Sequence, residues 1–198
     1  MVRRTRAEME ETRALLISSA RKIFGERGYA ETSMDDLTAY AGLTRGALYH
    51  HFGDKQGLLA AVVAKIDGEM DARLQSISDN AADAWEGFAG RCHAYLEMAQ
   101  EPEIQRIVLL DAPSVLGNSG DSQQQCIASL QGLIEGLIGR GVVREIDSHA
   151  LSVMIQGSLT EAAFWIAREE GGVGRLDQAK AVLGALLEGI RSSSQQRS

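Results

Sequence analysis

Thr44, Arg45 and Gly46 stand together in a part of the chain that reads as the start of a helix. There they offer three things that DNA takes: unpaired backbone N–H groups that attract phosphate, a guanidinium that donates two parallel bonds to guanine, and a glycine that lets backbone come close to the duplex. Tyr49, His50, His51 and Lys55 follow on or beside the outward face, where hydroxyl, imidazole and ammonium groups bond phosphates and fix the register. Leu48 and Phe52, at i and i+4, point the other way. Taken singly, the tyrosine and the two histidines are ordinary residues of a solvated helix face; the string carries the reading.

Such groups act only if short helices hold them out. From Glu8 to Arg27 the apolar residues Leu16, Ala20, Ile23 and Phe24 fall at i, i+4, i+7 and i+8, one stripe of a helix that Gly28 terminates. Thr32 and Ser33 supply N-cap hydroxyls worth about 1 kcal/mol each, Asp35 and Asp36 suit the positive end of the helix dipole, and Met34, Leu37 and Ala41 give a short second helix ended by Gly42. Almost no loop remains before a third helix, Arg45 to Phe52, with Thr44 as its cap. Asp54 caps a fourth, longer helix with the stripe Leu59, Val63, Ile66 and Met70. Two short helices joined by a turn of about three residues and packed on a preceding one predict a helix-turn-helix.

The net charge of -7 argues against a phosphate-bearing partner until the chain is divided. Residues 1–60 hold nine Lys and Arg against eight Asp and Glu, and residues 61–198 hold eleven against nineteen, so a module of net +1 precedes one of net -8. Arg3, Arg4 and Arg6 open the chain, either as a solubilising end or as an arm for the DNA backbone or minor groove. At 198 residues with only two prolines, and with 44% apolar content broken up by charge, an all-α soluble fold is expected, and two cysteines without metal-ligand or CxxC spacing imply reduced thiols. No apolar run reads as a bilayer span and no signal core precedes the first helix, so no membrane is expected and a cytoplasmic location is.

The string Thr32-Ser33-Met34-Asp35-Asp36-Leu37 and the stretch from Ala41 to Leu59, with Leu48-Tyr49-His50-His51-Phe52 followed by Lys55, resemble the DNA-binding module of TetR-type bacterial transcriptional regulators over roughly residues 10–62. The resemblance implies base reading by Arg45 and Gly46 and phosphate gripping by Tyr49, His50, His51 and Lys55. It also implies backbone contacts at the cap positions Thr32, Ser33 and Thr44, with Tyr40 as a further phosphate contact. Ala47 sits where the family sometimes carries a polar base reader. The implied organisation is a DNA-binding domain over 1–55 and an effector-binding and dimerisation domain over 56–198, about nine helices in all. The implied function is a homodimeric, ligand-responsive regulator, most often a repressor. The alternative is a dimeric helical adaptor that has lost DNA binding.

Beyond residue 78 the periodicity predicts helices near 81–99, 102–116, 122–139, 148–169 and 176–191, with loops at 117–121, 139–141 and 171–174 and a Ser/Gln-rich tail from Ser192. Leu151, Ile155, Leu159, Ala162 and Ile166, with Leu176, Ala179, Leu183, Leu186 and Ile190, make two stripes expected to pair across a two-fold axis, which calls for a palindromic operator. Trp85, Phe88, Cys92, Leu110, Asp111, Cys126, Met154, Thr160, Glu161, Phe164 and Trp165 are candidate contacts for a small-molecule effector. His93, Glu97, Glu135, Glu145, His149 and Glu161 lack the Glu-x-x-His repeats of a metal bundle. No phosphate-binding glycine loop and no nucleophile motif occurs, so neither a metal, nor a cofactor, nor an enzyme is expected.

Overall fold

The structure, a computed structural model, describes residues 5–117, 120–168 and 174–192. Arg3, Arg4, most of the 171–174 loop and the tail beyond Ser192 lie outside the described residues. Within them the chain is all-α: nine α-helices and one π-helical segment, with a single isolated bridge between Val143 and Arg191.

Helix α1 (Arg6–Arg27) starts two residues before the expected Glu8 because of a reciprocal cap. The Thr5 hydroxyl accepts from the Glu8 N–H at 3.3 Å, while the Glu8 carboxylate accepts from the Thr5 N–H at 2.7 Å. Gly28 ends the helix at φ 83°, ψ 164°, a region that a Cβ makes costly. Helix α2 (Met34–Ala41) is capped by Ser33 and Asp36 in a second capping box. Gly42 closes it in the left-handed conformation, φ 63°, which turns the chain into α3 (Arg45–Phe52) within three residues. Helix α4 (Lys55–Asp79) begins where the Asp54 carboxylate accepts from the Gly57 N–H at 2.7 Å.

The chain packs into two compact units that divide within α4: Met1–Glu69 with Glu101–Asn118, and Met70–Gln100 with Ser119–Ser198. In the first, Leu16, Ala20, Phe24, Leu37, Leu48, Leu58, Leu59 and Val62 are all at most 1% exposed, and they weld α1 to α4 into one core. At about 25 cal/mol per Å² of apolar surface, and with losses of about 3–5 kcal/mol for a Phe→Ala change, the fully buried Phe24 is a large contributor to the stability of this small module. The Arg21 guanidinium adds a polar staple: Nε and Nη2 each donate to Glu103 at 2.7 Å, and Nη1 donates to Glu69 at 2.7 Å.

The expected 102–116 helix is present but is not uniformly α. A π-helical segment, Ile104–Asp111, runs directly into α6 (Ala112–Leu116). Ile104, Ile107 and Leu109 are its buried residues, and it packs on α1.

The second unit holds α5 (Ala84–Met98), α7 (Gly120–Gly139), α8 (Ser148–Ala167) and α9 (Arg175–Ile190). Gly120 and Asp121, expected in a loop, already belong to α7. Phe88, Cys92, Leu96, Ile134, Leu137, Ile155, Leu159, Ile166, Leu183 and Leu187 form its core. Helix α8, with 20 residues and mean hydropathy 1.2, has the length and composition of a membrane span, contrary to the expectation that no run did. Its polar residues Ser152, Gln156 and Thr160 and its packing on α7, α5 and α9 are those of a helix within a bundle.

Candidate nucleic-acid interface

Helix α3 is held by its buried side and presents the other. Leu48 is 0% exposed, whereas Tyr49 is 52% exposed and Thr44, Arg45, Gly46 and His50 are exposed. The Thr44 hydroxyl accepts from the Ala47 N–H at 3.3 Å and so fixes the first turn. His50 and His51 meet edge to face at 5.4 Å, His51 is half-buried against Phe52, and the Arg13 guanidinium covers the Phe52 ring at 5.6 Å. An ideal Cβ on Gly46 would meet only Thr44 Oγ1, at 3.8 Å, so nothing inside the protein requires glycine there. Tyr40, 52% exposed on α2, lies 5.4 Å from the Lys22 ammonium, which its hydroxyl helps hold above the usual lysine range.

The α1–α2 turn beneath this face is clamped from two sides. The Lys55 ammonium donates to the carbonyls of Tyr29 and Thr32, each at 2.7 Å, and sits 4.0 Å from the Tyr29 ring centre. Burial pushes its pKa below the ordinary lysine value, with nearby Asp111 opposing. From the π-helical segment, the Asp111 carboxylate accepts from the Tyr29 N–H at 2.8 Å, and Arg106 donates to the Arg27 carbonyl at 3.2 Å. Asp111 and Arg106 lie 3.6 Å apart.

These contacts correct two expectations. Lys55 is first a clamp on the turn and not an extended phosphate grip, because it is half-buried and two of its three N–H donors are taken by carbonyls. Thr32 is 1% exposed, and its hydroxyl donates to the Gly28 carbonyl at 2.7 Å; Ser33 caps the helix and Thr32 has no face toward DNA. Neither Arg106 nor Asp111 was suggested as part of this site by its neighbours in sequence, since the contacts lie 79 and 82 residues away. Asp35 was legible only as a first-turn anion, yet its carboxylate accepts from Arg45 Nε at 2.5 Å and from Arg45 Nη2. That bond holds Asp35 below the usual carboxylate range.

The candidate effector residues fall in both units. Leu110 and Asp111 belong to the first unit, Leu110 at 41% exposure and Asp111 spent on the clamp. In the second, Phe88 and Cys92 are buried on α5, and burial pushes the Cys92 thiol up to about 12. Trp85 meets Phe88 at a tilt, ring centres 6.0 Å apart, and lies under the Arg191 guanidinium. Cys126, Thr160 and Phe164 are half-buried on α7 and α8, with Thr160 bonded to Gln156. Met154, Glu161 and Trp165 are exposed on α8. They border open grooves with Val153, Val182 and Leu186. The two stripes also shift: Ile155, Leu159, Ile166 and Leu183 face the core of their own unit, and the outward apolar face is Val153, Met154, Trp165, Val182 and Leu186.

A helix-turn-helix on a first helix, followed by a helical second unit, defines a class of bacterial regulators, and comparison with known proteins gives the family. Residues 16–62 match the family described as bacterial regulatory proteins, tetR family, and residues 85–190 match the tetracyclin repressor-like C-terminal domain. A crystal structure of a TetR-family transcriptional regulator from Pectobacterium atrosepticum is 68% identical, with a TM-score of 0.89 over 95% of this chain and 98% of that one. The HTH-type transcriptional repressor BepR of Brucella suis is 26% identical over 86% of this chain and 88% of its own. The HTH-type transcriptional regulator TtgR of Pseudomonas putida is 48% identical over 63 residues, 32% of this chain and only 30% of its own length. The chain belongs to the TetR family of bacterial transcriptional regulators.

Proposed function

We propose that this protein is a ligand-responsive, sequence-specific repressor that leaves a palindromic operator when a small molecule binds. The observation that carries the reading is the exposed first turn of α3, capped by Thr44 and anchored by buried Leu48, with Arg45 and Gly46 at its tip. Arg45 reads a guanine; Ser33, Thr44, Tyr49, His50 and His51 set the register on phosphates. The outward apolar face of α8 and α9 supports a homodimer through the last two helices, because Met154, Val182 and Leu186 are 71%, 61% and 57% exposed in the single chain. Two reading heads on a two-fold axis engage half-sites about 34–36 Å apart, or a multiple of that. A repressor acting on operators of a bacterial chromosome would work in the cytoplasm, in keeping with family membership.

Effector binding is supported by family membership and by the groove on α8 that Met154, Glu161 and Trp165 line. A gel shift on the region upstream of the protein's own gene and its neighbours tests the DNA reading. Specific retardation lost on Arg45→Ala is expected, and equal affinity for every duplex would sink it. Titrating apolar and aromatic compounds against Trp85 and Trp165 fluorescence, with and without operator, tests the switch: an inducer must bind the DNA complex less tightly.

A further inference from the structure

The contact that determines what Arg45 can say to a base comes from α2. A guanidinium carries five N–H groups arranged in a rigid fork, and a planar pair of acceptors can take it from the side, through Nε and one Nη, or from the end, through both Nη atoms. In this protein the side is taken: Nε donates to Asp35 Oδ1 at 2.5 Å and Nη2 donates to Asp35 Oδ2. The end edge is left for O6 and N7 of a guanine. Both side chains are exposed, 58% for Arg45 and 68% for Asp35, so as an ion pair they stabilise the fold very little. The neighbouring acid, Asp36, is already committed to Ser33 through the capping box and faces Arg27 at 3.8 Å. Asp35 is thus the first-turn acid of α2 that reaches Arg45.

We infer that Asp35 is a specificity-determining residue: it locks the Arg45 guanidinium side-on and so presents its end edge to one base pair in each half-site. This rests on the proposed reading that Arg45 contacts a base. The pair has a second effect. An arginine facing DNA ordinarily adds one unit of phosphate attraction for any sequence, and each such charge steepens the salt dependence by about 0.9 in logarithmic slope. Asp35 cancels that unit at the interface. Arg45 then contributes to discrimination without contributing to non-specific grip.

The test uses the full-length chain and duplexes selected by it from a random 30-bp library. Arg45→Ala identifies the base pair whose preference depends on that arginine, and discrimination there is measured as the ratio of affinities for the matched and the substituted duplex. A ratio within one protein preparation is independent of the fraction that is folded. Asp35→Ala is expected to lower the ratio about 3–10-fold, part of the ~5–150-fold that a bidentate arginine–guanine pair supplies. It should also raise affinity for random-sequence duplex and steepen its salt slope by about 1. In the Arg45→Ala background, Asp35→Ala should leave the ratio unchanged. Asp35→Asn, which keeps the shape and drops the charge, should fall between. Wild-type discrimination in Asp35→Ala, with Arg45→Ala still impaired, overturns the inference and leaves the base-reading role of Arg45 standing. If Arg45→Ala alters no base preference, both fall together.

Discussion

The Arg106 guanidinium fills the space beside Gly28: an ideal Cβ on that glycine would stand 1.9 Å from Nη2 and 2.5 Å from Cζ and Nε. Two demands therefore meet at one residue, since φ of 83° with ψ of 164° is a backbone region that only glycine enters cheaply. Gly28→Ala is expected to cost about 1–3 kcal/mol in backbone strain and to expel Arg106 from the turn. Arg106→Ala in the same background should recover the steric part but not the strain. Urea unfolding of the two variants, compared with Arg106→Ala alone, separates them.

Lys55→Met should destabilise the protein by about 1–2 kcal/mol, because it leaves the carbonyls of Tyr29 and Thr32 without their donor. The salt slope of binding to random duplex should stay as in the wild type. A slope reduced by about 1 with stability intact would return Lys55 to the phosphates.

Gly46→Ala should act in opposite directions on fold and function. Alanine is the better helix former, and the site is open around its Cβ, so stability should rise by up to about 1 kcal/mol. Affinity for operator should fall as the added methyl holds the backbone of α3 away from the duplex. Thermal melts and gel shifts on the same preparation decide it; unchanged affinity would mean that α3 does not approach DNA through this turn.

His93 makes stability depend on pH in the second unit. Its Nε2 is buried without a hydrogen-bond partner and lies 4.0 Å from the Cβ position of Gly184. Burial first, then the Lys180 charge, hold its pKa below the ordinary value, with Glu97 opposing. Because the folded pKa is depressed, the unfolded chain binds more protons below about pH 6.5, and stability should fall as pH drops from there through the folded pKa. His93→Gln should lose less melting temperature than wild type between pH 7.5 and 5.5. Equal losses would clear His93 of the role.

Val182→Glu and Leu186→Glu should convert the proposed dimer to a monomer with little change in the stability of the single chain, since both side chains are more than half exposed there. Sedimentation at micromolar concentration measures this. Ile155→Glu is the control: that residue is 7% exposed in its own unit and its replacement should unfold the unit outright.

Helix ends were legible where a side chain closes its own helix. Ser33, Thr44 and Asp54 cap as their spacing requires, and Gly28 and Gly42 stop α1 and α2 where expected. The exposed face of α3 was legible for the same reason, since Leu48 and Phe52 fix which side is inward. Long-range contacts left no such trace. Thr32 looks identical to a cap until the Gly28 carbonyl is found beside it, and Lys55 looks like any phosphate-binding lysine until Tyr29 is placed under it. In α8 the apolar residues run nearly all round the helix, so periodicity could not tell Ile155, facing inward, from Met154, facing out.

The winding of residues 104–111 decides whether the clamp can exist at all. Arg106 and Asp111 are five positions apart, which on the 3.6-residue turn of an α-helix sets them about 140° from each other. A π-turn closes from i to i+5 and brings both to one side, where they converge on Gly28 and Tyr29. Chain length in this short stretch is therefore under a constraint that composition does not reveal. Conservative replacement at Val108 is compatible with the clamp, whereas its deletion shortens the Arg106–Asp111 spacing and swings one arm away while leaving every side chain of the clamp in the chain. Tolerance to substitution and tolerance to indels part company here, and a deletion scan across 104–111 should be far less forgiving than an alanine scan over its exposed positions.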